Sequence, residues 1–170
     1  MKKITLVLIL TALYFVSYGQ DHKWAFGFYG DVHIEEPSYS GSFGVQGKYD
    51  FANRHALQAQ VHGRSGLAIL GADYLFSFFD KTKSNFNVFL GAGLGEEFYT
   101  FSQEIFLEDV PPTTIKVRDN VFVANGQVGL SYYFPAVGLS LYSGYKAKFS
   151  FEDESFSPNY LMLGVRYHLW

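Results

Sequence analysis

His62 and Ser65 stand three positions apart and are the one close serine–histidine pair in the chain. A nucleophilic hydroxyl needs a base within hydrogen-bond reach and a third group to orient that base. Only Arg64 is near enough to act on His62, so the pair reads as part of a polar network rather than as a nucleophile. His33 with Glu35 and Glu36 is a thin metal set, one imidazole and two adjacent acids, and reads as a solvated loop. Gly91, Gly93 and Gly95 resemble a phosphate cradle only in composition. They sit inside a strand-like segment rather than between a strand and a helix. Phosphate-loop, zinc and nucleotide fingerprints are absent, and there is no cysteine to serve as nucleophile, thiolate ligand or disulfide. The formal charge of −3 argues against a nucleic-acid partner. No catalytic, cofactor or metal residue is assigned, and the chain is expected not to be an enzyme.

The elements that would carry these residues are legible in the composition. Of the 170 residues 48% are apolar but only 17% charged, below the roughly 25% of a soluble protein. Eighteen Phe, 13 Tyr and 17 Gly favour strands and close turns over helices. Lys2 and Lys3, an apolar run over 4–16 and the small residues Ser17 and Gly19 form the pattern of a cleaved secretory signal over 1–19. That run is shorter than the about 20 residues needed to span a bilayer as a helix.

From Trp24 onward the period is two. Trp24, Phe26 and Phe28 oppose Ala25, Gly27 and Tyr29; Val88, Leu90 and Leu94 oppose Asn87, Phe89 and Gly93; Leu161, Leu163 and Val165 oppose Met162, Gly164 and Arg166. Eight such segments are expected in a single domain over 20–170. Connections at 52–55, 80–85 and 135–137 are short, whereas those at 34–42, 96–120 and 150–159 are long, and only the one at about 65–68 on that side is small. Short turns at one end and long loops at the other, with strands of about 9–11 residues, mark a transmembrane barrel.

The aromatics on the apolar phase fall at one level. Trp24, Phe26, Tyr49, Phe51 and Phe76 belong to the first four segments, and Phe78, Tyr132, Phe134 and Tyr167 continue the same belt. Such a girdle marks a membrane interface. A thinner belt at the other interface is expected from Phe43, Phe98 or Tyr99, Tyr145 and Phe149. The opposite phase is polar. It carries Asp31, Lys48, Asp50, His62, Arg64 and Asp73, followed by Lys146, Lys148, Arg166 and His168. These groups are expected to pair across the lumen and to leave no open pore, with Gly27, Gly44, Gly91, Gly93, Gly129 and Gly144 making room for them.

These features resemble the small eight-stranded outer-membrane barrels of Gram-negative bacteria, the outer-membrane protein A and X type, over nearly all of 23–170. The resemblance implies an all-β, antiparallel, up-and-down transmembrane barrel in the bacterial outer membrane. It also implies surface lipid, lipopolysaccharide and the outer-membrane insertion machinery as partners. Family members end in an aromatic on the apolar face; here Trp170 is last but one residue out of phase with Tyr167 and Leu169. Two other classes share parts of the pattern. Some outer-membrane barrels modify lipid A with a Ser and a His near the outer leaflet. Lipocalin-like soluble barrels alternate with the apolar face inside. The girdle and the alternating connections favour the membrane over the latter, and His22-Lys23-Trp24 lacks the Gly-x-Trp opening of lipocalins.

Function is expected in the loops. The acids Glu35 and Glu36, then Glu96, Glu97, Glu104, Glu108 and Asp109, then Glu152, Asp153 and Glu154, suit either solubility or divalent-cation bridging to lipopolysaccharide. The connection 96–120 is too long for an idle turn. Tyr99, Phe101, Ile105, Leu107, Ile115 and Val117 alternate with polar residues around Pro111-Pro112. A ribbon is expected there, with Glu104 and Glu108 facing Lys116 and Arg118. Its edge would suit a surface protein docking by strand addition.

Overall fold

The computed structural model describes residues 23–34, 39–107 and 110–169. The signal segment 1–19, His22, Glu35, Glu36, Glu108, Asp109 and Trp170 lie outside the described residues. Eight strands follow one another: β1 (Trp24–His33), β2 (Ser40–Ala52), β3 (His55–Arg64), β4 (Leu67–Ser77), β5 (Phe86–Leu107), β6 (Val110–Phe134), β7 (Leu139–Ser150) and β8 (Phe156–His168). Each pairs antiparallel with its sequence neighbours, and β8 returns to β1, giving a closed barrel. The closing seam runs from Ala25 opposite His168 to His33 opposite Tyr160.

Closure follows from the solvent. Hydrocarbon cannot satisfy a free N–H or C=O, so a sheet immersed in it must leave no edge. The side-chain phases then sort by chemistry. Phe28, Val45, Leu57, Val61, Leu130 and Leu163 are each more than half exposed, on the outside. Gln46, Gln58, Gln60, Asp73, Lys146 and Arg166 are buried inside. This is the reverse of a lipid-carrying soluble barrel, whose apolar face is internal. The lumen is not wholly polar, however. Tyr29, Ala56, Leu75, Phe89, Tyr142 and Met162 form a buried cluster in it.

Connection length separates the two ends only in part, the small connection at 65–68 being the expected exception. The turn after β4 spans 78–85, whereas at the opposite end 65–66 suffices between β3 and β4, with Gly66 at φ 76°. That tight turn needs the left-handed backbone that glycine adopts at no steric cost. The ends of the barrel are distinguished by strand length instead. β5 has 22 residues and β6 has 25, and they stay paired from Phe86 opposite Tyr132 out to Leu107 opposite Val110. The start of β1 and the end of β8 meet at the other end, where the Leu169 N–H donates to the Trp24 carbonyl at 2.9 Å. That end is the periplasmic one and the ribbon end is the extracellular one.

Candidate functional site

At the periplasmic interface the aromatics pack ring against ring, some stacked and some edge to face. Trp24 lies 4.7 Å from Tyr49 and 5.9 Å from Phe26, Phe76 lies 5.5 Å from Phe78, and Tyr132 lies 4.7 Å from Phe134. Phe51 stacks on His55 at 5.9 Å, and Tyr167 is exposed on the same outer phase. His55 belongs to this belt, with Nδ1 2.5 Å from the Tyr74 hydroxyl. Its place next to a turn hid that in the sequence; its phase with Leu57 would have shown it. At the extracellular interface Phe98 faces out and is exposed, whereas Tyr99 faces in and donates to Glu97 Oε2 at 2.5 Å.

The polar side chains form layers along the lumen. Nearest the periplasm, Asp50 accepts from Lys48 at 2.9 Å and from Lys81, which reaches in from the 78–85 turn. That turn is held by its own hydrogen bonds. Asp80 accepts from the Thr82 hydroxyl at 2.7 Å and its N–H at 2.9 Å, which holds the Asp80 carboxyl below the usual carboxylate range. Above it, Arg166 donates through Nε to Gln46 at 3.1 Å and through Nη2 to Gln58, with its guanidinium 3.9 Å over the Tyr142 ring. The middle layer sets Lys146 4.8 Å over Tyr29 and lets Asn125 donate to Asp73 at 3.0 Å.

Nearer the outside, Tyr29 donates to Asp31 at 3.0 Å, and Ser42 donates to the other Asp31 oxygen. Ser42 Oγ also lies 2.6 Å from His62 Nδ1. Thus His62 meets Ser42, not Ser65, which sits in the 65–66 turn. The trio is a serine, a histidine and an aspartate, but one imidazole nitrogen, Nδ1, faces both partners, with Asp31 3.9 Å away. A relay needs the carboxylate on one ring nitrogen and the hydroxyl on the other. Here the serine proton is committed to the carboxylate, so the arrangement fixes β1, β2 and β3 against one another.

Glu97 belongs with the lumen and not with solvated loop acids. It is 6% exposed and pairs with Lys148 at 2.8 Å, while Lys148 lies 4.2 Å over the Tyr160 ring. Glu97 continues the odd phase of Gly91, Gly93 and Gly95, and that phase was the signal available in the sequence. Glu96, on the other phase, accepts from Asn120 at 2.7 Å. Arg64 is exposed at the extracellular rim. A cavity of about 400 Å³ opens beyond this layer, lined by Tyr99, Asp119, Lys148, Glu152, Asp153 and Tyr160 among others. Among the described residues no His, Asp or Glu group is arranged to hold a metal ion.

Breaking the Glu97–Lys148 pair should be measurable. Removing one partner strands a buried charge, whereas removing both is nearly neutral. Lys148→Met should therefore lower folding stability by about 1–3 kcal/mol in urea titrations from detergent micelles. The double variant Lys148→Met with Glu97→Gln should recover most of that loss.

The ribbon register sets Lys116 opposite Ser102 and Arg118 opposite Thr100, with Glu104 opposite Thr114. The expected pairing of Glu104 with these cations across the ribbon is therefore not the register found, and Glu108 lies outside the described residues. The prolines do not make the turn either. Leu107 pairs with Val110, so Pro111 and Pro112 fall within β6, beside an irregularity between Ile105 and Leu107. Proline tolerates that place because its missing N–H faces no continuous ladder. Phe101, Ile115 and Val117 share the phase of the lumen face, whereas Thr100, Ser102, Lys116 and Arg118 share the outer one.

A closed eight-strand antiparallel barrel, apolar outside, aromatic at its rims and polar within, defines a small outer-membrane β-barrel protein. The chain belongs to the Helicobacter outer membrane protein family, whose model matches residues 39–168. Among solved structures it is similar to Neisserial surface protein A from Neisseria. Identity there is 16% over 88% of this chain and 99% of that one, with a TM-score of 0.54, a likeness of fold. It is also similar to Ail, the attachment invasion locus protein of Yersinia pestis, at 13% identity over 85% of this chain and 95% of that one, with a TM-score of 0.45. No curated protein sequence matches the chain.

Proposed function

We propose that this chain is a non-enzymatic surface protein whose barrel anchors the β5–β6 ribbon for contact with an extended segment of another protein. The observation that carries this reading is the pair of open edges on the ribbon. β5 loses β4 beyond Tyr99 and the Thr100 N–H bond to Gly66, and β6 loses β7 beyond Val123 and the Phe151 N–H bond to Phe122. Past those points each strand presents backbone donors and acceptors on its outer side. Long open edges are templates for pairing, which is how strand addition recruits a partner. Lys116 and Arg118 on the outer face add cations above the membrane surface, where lipopolysaccharide phosphates would meet them. The Ser42–His62–Asp31 geometry, which lacks a relay, supports the non-enzymatic half of the reading. The buried layer of Tyr29, Lys146 and Met162 supports a lumen without an open pore.

Deleting 102–118 and joining the ends through a short glycine turn tests it. Loop closure entropy changes slowly with length, and the segment lies outside the lipid, so the barrel should still fold. Folded and heated samples should migrate differently on gels, as for full-length protein. Surface partners crosslinked to the full chain in cells should be lost. A shortened chain that folds and keeps those partners assigns binding to other loops. A shortened chain that cannot fold makes the ribbon part of the core.

A further inference from the structure

The periplasmic end holds a second cavity, of about 630 Å³, at the opposite pole from the ribbon. Its charged lining is unbalanced: Lys23, Lys48, Lys81 and Arg166 face a single carboxylate, Asp50. Asp50 is already shared by Lys48 and Lys81, so that trio retains a net positive charge. Arg166 is the more telling group. It is 4% exposed, and its hydrogen-bond partners are the neutral amides of Gln46 and Gln58. Among the described residues it has no carboxylate in ion-pair range. A guanidinium taken out of water without a counter-charge is costly, and its planar fork matches a carboxylate or a phosphate. Leu75 and Phe89 line the same cavity and offer an apolar wall beside the cations. The volume lies within the range of small-molecule sites.

We infer that this periplasmic vestibule binds a small organic anion, its oxyanion head against Arg166 and Lys48 and its apolar body against Leu75 and Phe89. The shared chemistry is the oxyanion, carboxylate or phosphate. The site is independent of the ribbon. Ser140 is the strand partner of Arg166 and lines the cavity, so a carboxylate placed there would supply the missing counter-charge internally.

The test is calorimetric titration of the full chain, folded in nonionic detergent without chloride, with sodium hexanoate and separately with sodium phosphate. Hexanoate should bind saturably at one per chain, and Ser140→Asp should weaken it at least tenfold while raising the thermal midpoint. Arg166→Gln should weaken it equally. Lys81→Ala, on an exposed turn, supplies the same comparison if either buried variant does not fold. Tighter binding of hexanoate assigns a carboxylate, and tighter binding of phosphate assigns a phosphoryl group; either supports an anion site. Absence of saturable binding by both anions overturns the inference, as does unchanged affinity in a folded Ser140→Asp protein.

Discussion

Gly129→Leu should abolish barrel folding, while Gly126→Leu, three residues away on the same strand, should fold as well as the parent chain. A Cβ at position 129 would sit 2.5 Å from the Phe89 ring and 2.6 Å from the Ser143 carbonyl. The ring has some freedom, but the carbonyl belongs to the β6–β7 ladder and cannot retreat without breaking it. Overpacking a core usually costs about 1–3 kcal/mol, and a collision with ladder backbone exceeds that. At position 126 a Cβ meets nothing within 4 Å, because that residue faces outward. Heat-modifiable mobility after refolding into detergent distinguishes the two. Equal loss from both would mean that strand β6 is turned over.

Leu90→Arg should cost about 2–4 kcal/mol, because Leu90 faces lipid between the two interfaces and an arginine there must carry its charge into hydrocarbon. Leu90 is 44% exposed on the outer phase. The matching lumen variant, Gln127→Glu, should be neutral or stabilising. Gln127 is buried, with its Nε2 lacking a hydrogen-bond partner, and it stands opposite Lys146 across the β6–β7 register. A carboxylate there faces a buried ammonium that, among the described residues, is in no close ion pair. Urea unfolding in vesicles should rank the parent and Gln127→Glu well above Leu90→Arg. The reverse order would exchange inside and outside.

The facing of each strand was legible in the sequence because lipid excludes the polar groups that the lumen accepts, and the pleat alternates the two faces between the irregular points of the register. Phe28, Leu90 and Leu163 could be placed outside, and Asp73, Lys146 and Arg166 inside, from phase alone. Contacts across the lumen were not legible. They depend on shear, which decides that Tyr142 donates to Gln46, 96 residues away, and that Lys148 meets Glu97, 51 residues away. Phase says only that such residues share an interior. The exchange of Ser65 for Ser42 as the partner of His62 has the same origin. Position 65 is near in sequence but sits in the turn. Position 42 stands on the neighbouring strand beside His62, two residues from its register partner Gly44 and on the same face. The ribbon was visible as alternation, whereas its turn was not. Two prolines are a strong break signal, and a bulged register absorbed them.

The β1–β8 seam constrains how the chain can assemble. Its contacts join Ala25 to His168, almost the full span of the barrel sequence, whereas β5 and β6 meet through a tight local hairpin. Local pairings form early and distant ones late, since the entropy of closing a long loop must be met before its contacts form. Until the last strand docks, the first presents an open ladder that hydrocarbon cannot satisfy. Entry into lipid and completion of the sheet are thus one cooperative event, and every partly closed form must be sheltered in water, on a catalyst or on another chain. The hairpin that grows outward into the ribbon can be complete before the membrane is crossed, so the pairing that extends beyond the rest of the sheet is also the first able to form.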